Sequence, residues 1–131
     1  MAASPVLVDS SFYITLARRG VDPLRALAAT ALERDLAVCG IVRCEVGRGI
    51  RVEPVWRKFQ AFWDVMINVP TDNRLWSEAE KLVWELDRKG FRVPLQDVVI
   101  ACCARRIDGP VLTFDRHFDL IPHLRVLDSL D

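Results

Sequence analysis

Apolar residues follow two rhythms along this chain: short unbroken runs, and longer stretches in which they recur every three or four positions. Val6-Leu7-Val8 is a run of the first kind, ended by Asp9-Ser10-Ser11, which predicts a buried strand running into a helix cap. Residues 12–19 read as a helix stopped by Gly20, and Pro23 opens a second with Leu24, Leu27, Ala28, Ala31 and Leu32 on one stripe. Residues 36–38 predict another short strand. Residues 42–50 predict a helix weakened by Gly47 and Gly49, and Pro54 opens one carrying Val55, Trp56, Phe59, Phe62 and Trp63. Residues 65–69 are strand-prone up to Pro70. The clearest helix spans 73–89, with Leu75, Trp76, Ala79, Leu82, Val83 and Leu86 at helical spacing and Gly90 as its stop. Residues 95–107 are apolar almost all round, as in a helix buried on most sides. Gly109-Pro110 then turns the chain into the run Val111-Leu112-Thr113, followed by a short helix over 115–120 and a last edge strand over 125–127.

Short apolar strands alternating with helices require crossover connections, so the predicted fold is three-layer α/β/α around a central, mostly parallel sheet. The 131 residues, 51% of them apolar, suit one domain over 1–131 with a single core. No apolar stretch is long enough to cross a bilayer, and the N-terminus lacks the pattern of a signal peptide, so a soluble cytoplasmic protein without membrane contact is expected. Cys39, Cys44, Cys102 and Cys103 show neither zinc-ligand spacing nor a disulfide framework and read as buried free thiols.

Charge is balanced, 18 basic residues against 18 acidic, so the total gives no support for nucleic acid. The basic residues are arginines apart from Lys58, Lys81 and Lys89, a bias that suits phosphate recognition and that GC-rich coding also produces.

Four acids change the picture. In open α/β sheets the binding crevice lies at the carboxyl ends of the strands. Asp9 follows the first strand directly, and Asp115 follows the Val111 strand. Asp97 falls in the first turn of the buried helix, and Glu45 early in the helix after the second strand, so both belong to the same end of the sheet. Each has a plainer reading taken alone: Asp9 and Asp115 as helix caps, Asp97 as a first-turn acid favoured by the helix dipole, Glu45 as a solvated residue. Taken together they raise an electrostatic problem. Two carboxylates about 5 Å apart repel by roughly 3 kcal/mol at an effective dielectric near 20. A cluster of four must take up protons, pair with arginine or bind a divalent cation, and all-oxygen ligation favours Mg²⁺ or Mn²⁺. Such an ion can activate a water for in-line attack on a phosphodiester. Arg48 and Arg116 flank the acids as possible RNA or phosphate contacts, with Arg43 a weaker case. His117 and His123 read as solvated surface residues. Trp56, Phe59 and Trp63 fit either the core or a protein interface.

The pieces Val6-Leu7-Val8-Asp9-Ser10-Ser11, Val42-Arg43-Cys44-Glu45-Val46-Gly47-Arg48-Gly49, Leu95-Gln96-Asp97-Val98-Val99-Ile100-Ala101 and Val111-Leu112-Thr113-Phe114-Asp115-Arg116-His117-Phe118 resemble, in order and spacing, the motifs of the PIN domains. Within that family they resemble the VapC-type toxins of toxin–antitoxin pairs, over nearly the whole chain. The resemblance implies a PIN-like fold and an endoribonuclease dependent on Mg²⁺ (or Mn²⁺), with Asp9, Glu45, Asp97 and Asp115 catalytic. It implies Ser10 and Thr113 in support, a homodimer, an RNA substrate and a small antitoxin whose C-terminal segment fills the groove over the acids. Many relatives carry a further acid where this chain has His117, so one metal held by Asp9, Asp97 and Asp115 is expected, with Glu45 a ligand directly or through water. Two other classes compete. A phosphoacceptor signalling domain needs a lysine after a late strand, and none occurs beyond Lys89. A catalytically silent PIN-like module acting through a protein or RNA partner would keep the fold without the chemistry.

Overall fold

The structure, a computed structural model, describes residues 3–129. Five strands form one parallel sheet: β1 (Val6–Val8), β2 (Leu36–Cys39), β3 (Ile67–Val69), β4 (Val111–Leu112) and β5 (Val126–Leu127). Six α-helices connect them among the described residues: α1 (Ser10–Arg18), α2 (Pro23–Ala31), α3 (Gly40–Gly47), α4 (Glu53–Asp64), α5 (Asn73–Arg88) and α6 (Leu95–Arg106). The spatial strand order is β3-β2-β1-β4-β5. The chain therefore builds outward from β1 through β2 to β3, then returns across the sheet to lay β4 on the other side of β1. That reversal makes the carboxyl ends of β1 and β4 a topological switch point, where open α/β sheets form their crevice. Two layers of helices cover the sheet, and the pairing is parallel throughout.

Burial explains why the runs became strands. Val6, Leu7, Val8, Val111 and Leu112 are each fully inaccessible, as strands covered on both faces require. α5 buries Leu75, Ala79, Leu82 and Leu86, while Trp76 and Trp84 remain on its exposed side. Trp84 lies under the Arg88 guanidinium, 5.0 Å from the ring centroid. α6 buries eight consecutive residues, Asp97 to Ala104, so it is the central helix that the all-round apolar pattern predicts.

The aromatic helix α4 turns two of its aromatic residues into the core and leaves a third at the surface. Trp63 is fully buried and donates from Nε1 to the Tyr13 hydroxyl at 3.2 Å, Phe59 packs beside both, and Trp56 is exposed. Burial pushes the Tyr13 hydroxyl pKa up. Arg43, expected among the possible phosphate contacts, is a structural clamp instead. It donates to Asn68 Oδ1 and Asp64 Oδ1, each at 3.0 Å, and stacks over Trp63, joining α3, α4 and β3. α3 ends at Gly47, short of the predicted residue 50. Cys39, Cys102 and Cys103 are buried thiols, but Cys44 lies on the exposed side of α3. Among the described residues no helix is long and apolar enough to cross a membrane.

Gly109 delivers the chain into β4 at a place where backbone meets backbone. A Cβ there would overlap the carbonyl oxygen of Pro5, which leads into β1. Because neither backbone can move without disturbing the β1–β4 pairing, Gly109→Ala is expected to lower stability by roughly 1–3 kcal/mol. Urea denaturation measures this, and a variant as stable as the parent would contradict the close approach.

Candidate active site

The β1–β4 register decides where the acids stand. Leu7 pairs with Val111 and Val8 with Leu112, and the Asp9 amide donates to the Leu112 carbonyl at 2.9 Å. Asp9 leaves β1 in extended conformation and caps α1, its Oδ2 accepting from the Ser11 amide at 3.2 Å. The plain reading of Asp9 as an N-cap is thus correct, but it is one part of a larger network. Thr113 Oγ1 donates to Asp9 Oδ2 at 2.9 Å and accepts from the Asp115 amide at 2.9 Å. Its single hydroxyl proton is then committed, so at the 2.9 Å contact between Ser11 and Thr113 the Ser11 hydroxyl is the donor. Ser11 Oγ in turn accepts from the Phe114 amide at 3.1 Å. Side chains from α1 and the end of β4 therefore lock Asp9 and set the path of the backbone to Asp115.

Glu45 joins from the other side. Ser10 Oγ lies 3.1 Å from Glu45 Oε1 and 3.4 Å from Asp9 Oδ1, so one hydroxyl lies between the two carboxylates. Partial burial pushes the Glu45 pKa up, and the Asp9 charge adds to this, while the Ser10 hydrogen bond and the Arg48 charge oppose it.

Asp97 is the electrostatic centre. It sits in the first turn of α6, 8% exposed, and its Oδ2 is buried without a hydrogen-bond partner. Desolvation, then the charges of Asp115 and Asp9, push its pKa up to about 7, against a weaker opposing pull from His117. Asp115 caps the short 3₁₀ stretch Arg116–Leu120 by accepting from the His117 amide at 2.9 Å. That turn brings the His117 imidazole back over the acids. Its Nδ1 lies 2.9 Å from Asp115 Oδ1 and 3.4 Å from Asp97 Oδ2, which corrects the expectation of a merely solvated surface histidine. Arg116 turns away, its Nε pairing with Asp119 at 2.9 Å on the surface.

The structure thus gathers Asp9, Glu45, Asp97 and Asp115 at one end of the sheet with Ser10 and Thr113 between them. The donor atoms of Asp97, Asp115 and His117 all lie within 4.8 Å of one another. Asp9 stands beside that group with both oxygens engaged by Ser10, Ser11 and Thr113. A desolvated carboxylate oxygen with no partner, facing a second carboxylate and an imidazole, suits a divalent cation. Sequence reasoning passed over Ser11, whose only signal was its place two residues after Asp9, at the start of a helix. It also missed the inward turn of His117, which depends on the cap made by Asp115.

A parallel sheet with a crevice of acids at its switch point defines the class of α/β fold to which the chain belongs. The chain matches the PIN domain family model over residues 6–124 and belongs to that family. Among solved structures it is similar to the DNA-bound VapBC of Salmonella typhimurium, with 21% identity, a TM-score of 0.77, and coverage of 96% of this chain and 97% of that one. It is also similar to VapBC2 of Rickettsia felis bound to a fragment of its promoter (19% identity, TM-score 0.75, 92% and 96% covered). A third is VapC20 of Mycobacterium tuberculosis, described as a toxin that cleaves the sarcin–ricin loop (15% identity, TM-score 0.62, 92% and 98% covered). No curated protein matches the chain in sequence.

The raised pKa of Asp97 has a consequence for stability. Between its ordinary value of 3.8 and about 7, the folded protein keeps a proton that the unfolded chain has lost. Stability without metal therefore falls as pH rises through that window. Asp97→Asn is expected to flatten the dependence of Tm on pH between about 4 and 7 and to raise the metal-free Tm at about pH 7.5. A variant whose Tm profile runs parallel to that of the parent would show that Asp97 is not strained.

Proposed function

We propose that this protein is a divalent-metal-dependent endoribonuclease acting as the toxin of a toxin–antitoxin pair. The observation that carries this reading is the convergence of four carboxylates on one end of the sheet, with an Asp97 oxygen buried there without a hydrogen-bond partner. The similarity to VapBC structures and to a toxin described as cleaving the sarcin–ricin loop supports it.

Asp97 and Asp115, with Asp9 beside them, would hold Mg²⁺ or Mn²⁺. The chemistry such an ion supplies is an activated water and stabilisation of the charge that builds on phosphodiester oxygens. The chain's own groups divide the remaining tasks. Asp9 is fixed by Ser10, Ser11 and Thr113, so it offers a pre-oriented charge with little side-chain freedom left to lose. Glu45, with its raised pKa, is suited to take a proton from the attacking water and release it later. Arg48, whose charge acts on Glu45, would meet a backbone phosphate, and Arg116, tied to Asp119, would do so by exchanging one anion for another.

A groove of about 910 Å³ starts at Glu45 and runs between α1, α2 and α4. Its apolar wall includes Ile14, Ala17, Val21, Ile50 and Val55, and Arg18, Arg51 and Lys58 also line it. This is where an antitoxin segment with an apolar face would lie, its end reaching the acids. A homodimer is what the family resemblance implies, and the exposed Trp84, Phe91 and Leu95 would be candidates for its seam.

Purified protein should cleave RNA with Mn²⁺ or Mg²⁺ and stop when EDTA is added. Asp97→Asn is expected to lower the cleavage rate by at least about a hundredfold while the protein stays folded. Cleavage that survives EDTA or the substitution would overturn the mechanism. Failure to cleave any RNA in a broad panel would favour the catalytically silent binding module.

A further inference from the structure

The imidazole of His117 stands among the acids where an all-oxygen site has no use for nitrogen. It gets there through a chain of local causes. β4 ends at Leu112, Thr113 holds the Asp115 amide, and Asp115 Oδ1 accepts from the His117 amide, so the 3₁₀ turn projects the ring back toward the strand end. Nδ1 then lies 2.9 Å from Asp115 Oδ1 and 3.4 Å from Asp97 Oδ2. The second of these oxygens belongs to a side chain 8% exposed and has no hydrogen-bond partner, so it faces the ring with its acceptor capacity unspent. The neighbouring guanidinium, Arg116, is engaged by Asp119 and leaves this corner to the histidine.

We propose that His117 is a direct nitrogen ligand of the cation site, sharing the ion with Asp97 and Asp115, and that it biases this protein toward Mn²⁺ over Mg²⁺. The inference rests on the metal-dependent reading of the same crevice. Mg²⁺ demands oxygen donors and keeps several of its waters, whereas Mn²⁺, the weakest-binding member of the first-row series and itself suited to carboxylates, still accepts an imidazole nitrogen beside them. Two carboxylates and one imidazole whose donor atoms lie within 4.8 Å of one another offer one face of such a coordination shell. His117 is nearly half exposed, so the ring can adjust to an ion without unpacking the core.

Electron spin echo spectroscopy of the protein loaded with one equivalent of Mn²⁺ reads the ligand directly. The expected result is nitrogen modulation from a coordinated imidazole, lost in His117→Asn and in His117→Asp. His117→Asp restores an all-oxygen set, so it should still bind Mn²⁺. Mg²⁺ should displace Mn²⁺ from it at a concentration about tenfold lower than from the parent. Bound Mn²⁺ without nitrogen modulation, or modulation that persists in His117→Asn, would overturn this inference and leave the nuclease reading intact. Absence of Mn²⁺ binding in the parent would overturn both.

Discussion

The pairing of β1 with β4 is the constraint from which the rest of the site follows. Leu7 against Val111 and Val8 against Leu112 bring the ends of two strands together that lie about a hundred residues apart in the chain. Everything chemical happens within a few residues of those ends. Asp9 leaves one strand and Asp115 follows the other, with Thr113 hydrogen-bonded to both. The pairing itself depends on apolar strands buried on both faces and on a glycine where Pro5 and the start of β4 nearly touch.

That geometry creates an electrostatic debt in the crevice. Four clustered carboxylates can be relieved in three ways: by protons, by arginine or by a cation. Arginine is not what relieves Asp97, because Arg43 is spent on the packing of α3, α4 and β3, Arg116 is paired with Asp119, and Arg48 acts on Glu45. Asp97 is left to hold a proton up to about pH 7 or to meet a cation. The strain falls on Asp97, desolvated and facing the charges of Asp115 and Asp9, and also on Glu45, which partial burial pushes up. Strain of this kind, an acid kept from its preferred ionised state by burial and like charge, is what a metal site releases on binding.

Much of this was legible in the order of residues. The 3.6-residue period of α5, the all-round apolar α6 and the short strand runs fix the layers, and strand ends locate the acids, because these are local patterns with one favourable burial. The helix-cap readings of Asp9 and Asp115 were correct and incomplete, since a carboxylate that caps its own helix can also face a cleft. What the sequence could not show was long-range orientation. Ser11 acts through Thr113, 102 residues away, and no local rule relates them. The inward turn of His117 depends on a 3₁₀ turn that periodicity cannot distinguish from a short α-helix. Arg43 looked free because Asn68, Gln60 and Asp64, its partners, lie on other elements. Cys44 is exposed because it falls two residues from each of the buried Val42 and Val46, on the outer side of α3.

The central claim is that the buried Asp97 carboxylate exchanges a proton for a divalent ion. Calorimetric titration of Mn²⁺ into the protein at about pH 6, repeated in buffers of different ionisation enthalpy, measures that exchange directly. The account predicts a single ion bound, with a proton release in the parent larger by close to one proton than in Asp97→Asn. Binding without proton release, or no binding at all, would contradict it.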